Sequence, residues 1–133
     1  MKDFFNLYSH GFARVAVATP LVRIGDPQSN LDATAELMRT AAREKAVLAV
    51  FPELGLSAYT CDDLFHQQAL IEGAEDALST LLKKSANLPV AALVALPVAV
   101  DGLLYNCAAL LYRGKLAGVV PKTYLPNYRE FYE

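Results

Sequence analysis

VLAVFPE, residues 47–53, is a continuous apolar run that ends in a proline and a glutamate. An uninterrupted apolar run of this length is typical of a strand buried on both faces, as in a sheet covered by helices. Glu53 then lies at the carboxyl end of that strand, where the ligand sites of α/β sheets are found. The stretch therefore predicts an α/β fold and a place for chemistry within it.

Helical patterns flank this strand on both sides. Before it, Arg14–Thr19 predicts a first strand, and Asp26 and Pro27 predict the N-cap and first turn of a helix. Apolar residues at helical spacing continue that helix to about Ala46. After the strand, His66–Ser85 predicts a second amphipathic helix. Strands that alternate with helices in this way favour a parallel arrangement at the start of the sheet.

Three further strands are predicted after the second helix. They cover Pro89–Val98, Leu104–Tyr112 and Leu116–Val120. The turn signals Asp101-Gly102 and 113–115 separate them, so they should pair as hairpins. The order β-α-β-α-β-β-β predicts a mixed β-sheet with helices on one face. The number of strands is low for a finished α/β layer.

Composition excludes several classes of function. Hydrophobic residues make up 54% of the chain, which argues against disorder, and 12 basic against 14 acidic residues argue against a nucleic-acid partner. The most apolar stretch, Leu88–Val100, is too short to span a membrane, and Met1–Phe12 lacks the apolar region of a signal peptide. A cytoplasmic protein with no membrane and no nucleic-acid partner is expected.

The two cysteines do not form a recognisable site. Cys107 lies within a predicted strand and is expected to pack as a small hydrophobic side chain. Cys61, in the loop after Glu53, is the better candidate for a reactive thiol, although nothing near it in sequence lowers its pKa. His10 and His66 are too far apart for a helical metal pair, so no metal site is expected.

A second strand end repeats the pattern of the first. GVVPK, residues 118–122, places Lys122 after a proline at the end of an apolar run. A partly desolvated Glu53 can serve as a general base, and a lysine beside it can stabilise an oxyanion. Taken alone, Glu53 is more simply a glutamate that caps a neighbouring helix or faces water, and Lys122 is more simply a solvated lysine. The pair FPE and VPK favours a shared site at one rim of the sheet.

These residues resemble the nitrilase, or carbon–nitrogen hydrolase, superfamily over nearly the whole chain. FPE at 51–53 is similar to its strand-end glutamate motif, and PKTYLP at 121–126 is similar to its lysine motif. A more specific resemblance is to the amino-terminal glutaminase domain of bacterial glutamine-dependent NAD synthetases. It rests on YSHGFARVAVAT at 8–19, FPELGLSAYTCDDL at 51–64, YNCAALLYRGKLAGVVPK at 105–122 and YLPNYREFYE at 124–133.

The resemblance implies an αββα sandwich and a set of roles for individual residues. Glu53 is the implied general base, and Lys122 the implied stabiliser of the tetrahedral intermediate. Glu130 matches a second carboxylate near the lysine, with a positioning role. Tyr59 and Tyr128 match positions that shape the glutamine pocket.

The implied function is hydrolysis of the glutamine amide, with the ammonia used to amidate nicotinic acid adenine dinucleotide. ATP and magnesium are then expected in a separate synthetase domain, with no cofactor in this segment. Residues 1–133 would be the N-terminal part of the glutaminase domain, without its nucleophilic cysteine, and inactive alone. A homo-oligomer is expected of the intact protein, because superfamily members assemble through such domains.

Two alternatives stay open at this point. One is a stand-alone amidase or carbamoylase of the same superfamily, which would share Glu53 and Lys122 but would not supply ammonia to a synthetase. The other is a non-catalytic unit that associates through open sheet edges and exposed apolar faces.

Overall fold

Five strands and two α-helices follow one another in the predicted order over residues 4–126, the part of the chain that the computed structural model describes. Of two short 3₁₀ helices, Leu7–His10 precedes the first strand and Asp62–His66 precedes the second α-helix. The main elements are β1 (Val15–Val17), α1 (Pro27–Arg43), β2 (Leu48–Val50), α2 (Gln68–Ser85), β3 (Ala91–Val100), β4 (Leu103–Tyr112) and β5 (Lys115–Pro121). The predicted order β-α-β-α-β-β-β is confirmed.

The strands form one mixed sheet in the order β1-β2-β3-β4-β5. β1, β2 and β3 run parallel, and β3, β4 and β5 are antiparallel neighbours. The predicted turns join the last three strands: Asp101-Gly102 and Arg113-Gly114 all have positive φ, as type I′ hairpin turns require. The predicted mixed sheet is therefore confirmed, and Glu53 follows the carboxyl end of β2 in its parallel half.

The first helix begins as predicted and ends earlier. The Asp26 side chain accepts a hydrogen bond from the Ser29 N–H at 3.0 Å, and hydrogen bonds from Ser29 lower the pKa of that carboxyl. At the other end, Lys45 has φ of 58° and the Ala46 N–H donates to the Ala41 carbonyl, which makes a Schellman turn. Ala46 is still buried, so the apolar pattern continued past the true end of the helix.

Both helices pack on the same face of the sheet. Leu31, Met38 and Leu81 are fully buried there against small strand residues such as Ala92 and Ala109. Alanines in the strands allow the helices to lie close to the sheet, so that large helix side chains fill the space between the layers. Helices on one face were predicted and are confirmed.

The opposite face of the sheet is covered by neither helix. Val15, Val17 and Val120 belong to it and are 53%, 84% and 67% exposed. Side chains alternate across a strand, so Leu93 on β3 and Ala108 on β4 share this face with them. We call it the open face. No helix within residues 4–126 is long and apolar enough to cross a membrane.

Pro97 lies further inside its strand than predicted, because β3 continues to Val100. The carbonyls of Leu93 and Ala95 accept from the N–H groups of Phe51 and Leu56, so odd-numbered residues of β3 turn their main chain toward β2. Pro97 has the same parity but lies beyond the end of β2. Its missing N–H therefore costs no ladder hydrogen bond, and the strand tolerates it.

A substitution that creates one cavity in the helix–sheet core tests this packing. Leu81 is 0% exposed, and Leu81→Ala is expected to lower the free energy of unfolding by about 2–5 kcal/mol, since the transfer term and the cavity term add. Denaturant unfolding of the protein measures it. Leu21→Ala is the control, because Leu21 is 92% exposed and its truncation should change stability by less than about 0.5 kcal/mol. Equal effects of the two changes would contradict the core described above.

Candidate active site

Glu53 is held in a turn at the carboxyl end of β2. The Gly55 N–H donates to the Pro52 carbonyl at 3.2 Å and closes the turn around the glutamate. Three residues after Glu53, the Leu56 N–H donates to the Ala95 carbonyl at 3.1 Å, so the chain rejoins β3 at once. The glutamate is thus anchored to the sheet on both sides of its own position.

The turn contains a backbone conformation that large side chains rarely adopt. Leu54 has φ of 50° and is 1% exposed, within a second cluster of buried residues. Such local strain persists only where the surrounding structure over-determines it, and it is concentrated at functional sites. Burial of Leu54 stabilises the turn and, with it, the direction in which Glu53 projects.

Lys122 reaches Glu53 from the end of β5. Its Nζ lies 2.7 Å from Oε1 of Glu53, in an ion pair whose side chains are 31% and 42% exposed respectively. The prediction that FPE and VPK meet at one rim is confirmed. The site is half open to solvent, so its geometry depends on what holds the two side chains in place.

A bulge in β5 sets the position of Lys122. Leu110 pairs with Gly118 but Leu111 pairs with Leu116, so Ala117 is an extra residue without a partner of its own. Beyond the bulge the Lys122 N–H donates to the Asn106 carbonyl at 2.8 Å. Without the extra residue, the register would slip by one, and Lys122 would face the other side of the sheet.

Asn106 is the residue of this site that sequence reasoning missed. Its Nδ2 donates to Oε1 of Glu53 at 2.7 Å, and the residue is only 8% exposed. The signal was a polar side chain within the apolar strand YNCAAL, where a polar group needs a partner. That signal says that a partner exists, but it does not say which residue it is.

The three polar side chains stand at the edge of a pocket on the open face. Its volume is about 340 Å³, the size of a small-molecule site, and apolar residues such as Val50, Leu93 and Val120 line it. A carboxylate that can take a proton therefore lies beside an ammonium and an amide that can donate hydrogen bonds. That combination suits cleavage of a polar bond at a carbonyl carbon.

Neither cysteine supplies a nucleophile to this pocket. Cys107 borders it, but its side chain is 4% exposed, and burial raises the pKa of the thiol. Cys61 is 3% exposed, donates to the Ser57 carbonyl, and has a pKa raised by burial. The weak possibility that Cys61 is reactive is not supported, and the packing role predicted for Cys107 is confirmed.

Of the other predicted site residues, the structure describes only Tyr59. Tyr59 lies in the loop after Glu53 and packs against the second buried cluster, with Leu54 and Phe65, and is not among the residues that line the pocket. Tyr128 and Glu130 lie outside the described residues. Within the described range, no group of three His, Cys, Asp or Glu side chains could hold a metal ion.

Thiol labelling tests the burial of both cysteines. In the native protein at neutral pH, Cys61 and Cys107 should react with iodoacetamide at least roughly 100-fold more slowly than they do after unfolding, because the reactive thiolate is both scarce and inaccessible. Peptide mass spectrometry distinguishes the two positions. Rapid native labelling of Cys61 would show that its loop opens and would restore it as a candidate nucleophile.

Comparison with known proteins identifies a family and similar proteins for this chain. The family model for carbon-nitrogen hydrolases matches residues 14–133. The glutamine-dependent NAD(+) synthetase of Mycobacterium tuberculosis (strain ATCC 25618 / H37Rv) is 44% identical over 131 residues, which are 98% of this chain and 19% of that protein. The chain thus spans about a fifth of the length of the curated relatives it matches.

Solved structures show the same fold. The crystal structure of a glutamine-dependent NAD(+) synthetase from Cytophaga hutchinsonii superposes with a TM-score of 0.81 at 23% identity, over 86% of this chain and 20% of that one. An amidase from Nesterenkonia sp. superposes with a TM-score of 0.71 at 22% identity, over 90% of this chain and 45% of that one. At these identities the likeness shows the nitrilase-type fold alone.

Proposed function

Since the chain belongs to the carbon–nitrogen hydrolase family, we propose that it forms part of a glutaminase that supplies ammonia for NAD synthesis. The observation that carries the proposal is the 2.7 Å contact between Glu53 and Lys122 at the edge of the pocket. The choice of glutamine rests on the similarity to glutamine-dependent NAD synthetases over nearly the whole chain.

Glu53 is the general base of the proposed reaction. A cysteine from outside residues 1–133 attacks the side-chain amide carbon of glutamine, and Glu53 accepts the thiol proton. Glu53 then passes that proton to the departing nitrogen, which leaves as ammonia, and a thioester remains. Water hydrolyses the thioester with Glu53 again as base, which releases glutamate and the free thiol.

Lys122 stabilises the charge that develops on the amide oxygen. An ammonium carries three N–H donors, so one can hold Glu53 while another donates to the oxyanion. The apolar lining of the pocket strengthens this interaction, since few polar groups compete there. Placement of the ammonium by the strand bulge means that little reorganisation is needed when the charge forms.

Three further residues are given the roles that the family resemblance implies. We assign Glu130 to positioning, and Tyr59 and Tyr128 to the shape of the glutamine pocket. ATP and magnesium are assigned to a synthetase domain outside this segment, which would amidate nicotinic acid adenine dinucleotide with the released ammonia. A cytoplasmic homo-oligomer is proposed for the full protein.

Comparison of nitrogen donors tests the function. In the full-length protein that contains this segment, NAD formation from nicotinic acid adenine dinucleotide and ATP should proceed with either glutamine or ammonium chloride. Glutamate release should accompany only the first. Failure of glutamine to serve as a donor while ammonium does would refute the glutaminase assignment.

Two other functions are distinguished with the same preparation. The fold shared with amidases supports a stand-alone amidase, which would hydrolyse simple amides but form no NAD. The exposed valines of the open face support a non-catalytic associating unit. Concentration-dependent sedimentation without hydrolysis of glutamine or of simple amides would favour the latter.

A further inference from the structure

Asn106 is a buried polar side chain in the middle of an apolar strand. It is 8% exposed and lies opposite Pro97 in the β3–β4 pairing, with Cys107 and Ala108 following it. A buried amide must be hydrogen-bonded to be tolerated. Its Nδ2 meets this requirement by donating to Glu53 at 2.7 Å, across 53 positions of sequence.

Both donors to Glu53 converge on one carboxylate oxygen. Lys122 Nζ and Asn106 Nδ2 each lie 2.7 Å from Oε1. Among the residues that the structure describes, no donor lies within hydrogen-bonding distance of Oε2. The described donors therefore hold the carboxylate at Oε1, so that its two oxygens are not equivalent.

Asn106 also fixes Lys122. Its carbonyl accepts the Lys122 N–H at 2.8 Å, while its side chain donates to Glu53. One residue in the middle of a paired strand thus contacts both members of the ion pair. A lysine alone would restrain the carboxylate poorly, because its long side chain is flexible and the pair is partly solvated.

We infer that Asn106 is a positioning residue which, together with Lys122, holds Oε1 of Glu53 so that Oε2 is the atom that takes the thiol proton. This inference rests on the proposed function. Asn106 itself acts through Glu53 and needs no contact with substrate. Its amide is suited to the task because it comes from a rigid strand and donates in a fixed direction.

Variants of the full-length protein test the role. Asn106→Leu keeps the approximate volume and removes the donor, and Asn106→Asp keeps the shape and replaces the amide with a carboxylate. Both are expected to lower kcat for glutamine hydrolysis by about 10–100-fold, with KM changed less than about 3-fold, since misplacing a base affects the chemical step. Asn106→Gln, which retains an amide donor, should recover part of the loss.

Alkylation of the nucleophilic cysteine provides a second readout. Its rate at neutral pH should fall in parallel with kcat in the Leu and Asp variants, while NAD formation from ammonium should stay unchanged. Tyr105→Leu is the matched control, because Tyr105 is the neighbouring residue on β4 and is 36% exposed. It should keep kcat and the alkylation rate at wild-type values.

The outcomes separate this inference from the function on which it rests. Loss of activity in Glu53→Gln together with wild-type kcat in Asn106→Leu would overturn only the role of Asn106. The same conclusion would follow if Asn106→Leu lowered the thermal midpoint of unfolding and changed nothing else. Full activity of Glu53→Gln would overturn the proposed function itself. If Asn106→Leu does not fold, the comparison of the Asp and Gln variants decides: equal kcat in these two would refute the need for an amide donor.

Discussion

Glu53→Gln should lower the rate of glutamine hydrolysis by the full-length protein by about 10²–10⁴-fold, the usual contribution of a general base. The substitution preserves shape, and the amide oxygen can still accept from Lys122 and Asn106 in place of Oε1. The amide nitrogen then occupies the place of Oε2, where it cannot accept a proton. The loss is therefore expected in kcat, measured as glutamate release at saturating glutamine.

Formation of NAD from ammonium is the internal control for this change, since it does not require the glutaminase. Glu72→Gln is the matched variant, because Glu72 lies on α2 and its carboxylate interacts with Gln68 of the same helix. It should leave both activities unaltered. Glutamine turnover near the wild-type rate in Glu53→Gln would remove Glu53 from the mechanism.

Lys122→Met is the change with the second-largest expected effect, a fall in kcat of about 10²–10³-fold, as for loss of one oxyanion donor. Methionine keeps an unbranched side chain of similar length but removes the charge and the donors. The oxyanion loses its stabilising cation, and Glu53 loses its positively charged partner while Asn106 still donates to it. The measurement is again glutamate release, with ammonium-driven synthesis alongside.

Lys115→Met is the control for the lysine. Lys115 begins β5 and is exposed, at the opposite end of the strand from Lys122. Its loss changes the net charge by the same amount without touching the site, so kcat should be unchanged. A similar fall in both variants would point to a general charge effect on the protein and against an oxyanion role for Lys122.

Local patterns were enough to predict most of the fold. The N-cap at Asp26 and the turn at Asp101-Gly102 depend on residues close in sequence, so they could be recognised directly. The continuous apolar run that ends at Phe51 predicted the strand β2 correctly. Its burial on both faces was wrong, because Leu48 and Val50 lie on the open face and are only partly buried. Errors fell at element ends, as at Lys45, where a left-handed residue ended α1 although the apolar pattern continued.

By itself the sequence determined that two apolar strands end in a proline and a charged residue, and hence that Glu53 and Lys122 belong to one rim of the sheet. Only the tertiary structure decided that Asn106 donates to Glu53, which is 53 positions away in sequence. It also decided the side of the sheet that Lys122 faces, because the β5 bulge at Ala117 shifts the strand register by one residue. Side chains alternate with a period of two, so that single shift determines the face on which Lys122 lies. Such a register depends on pairing between distant segments, which no local pattern records.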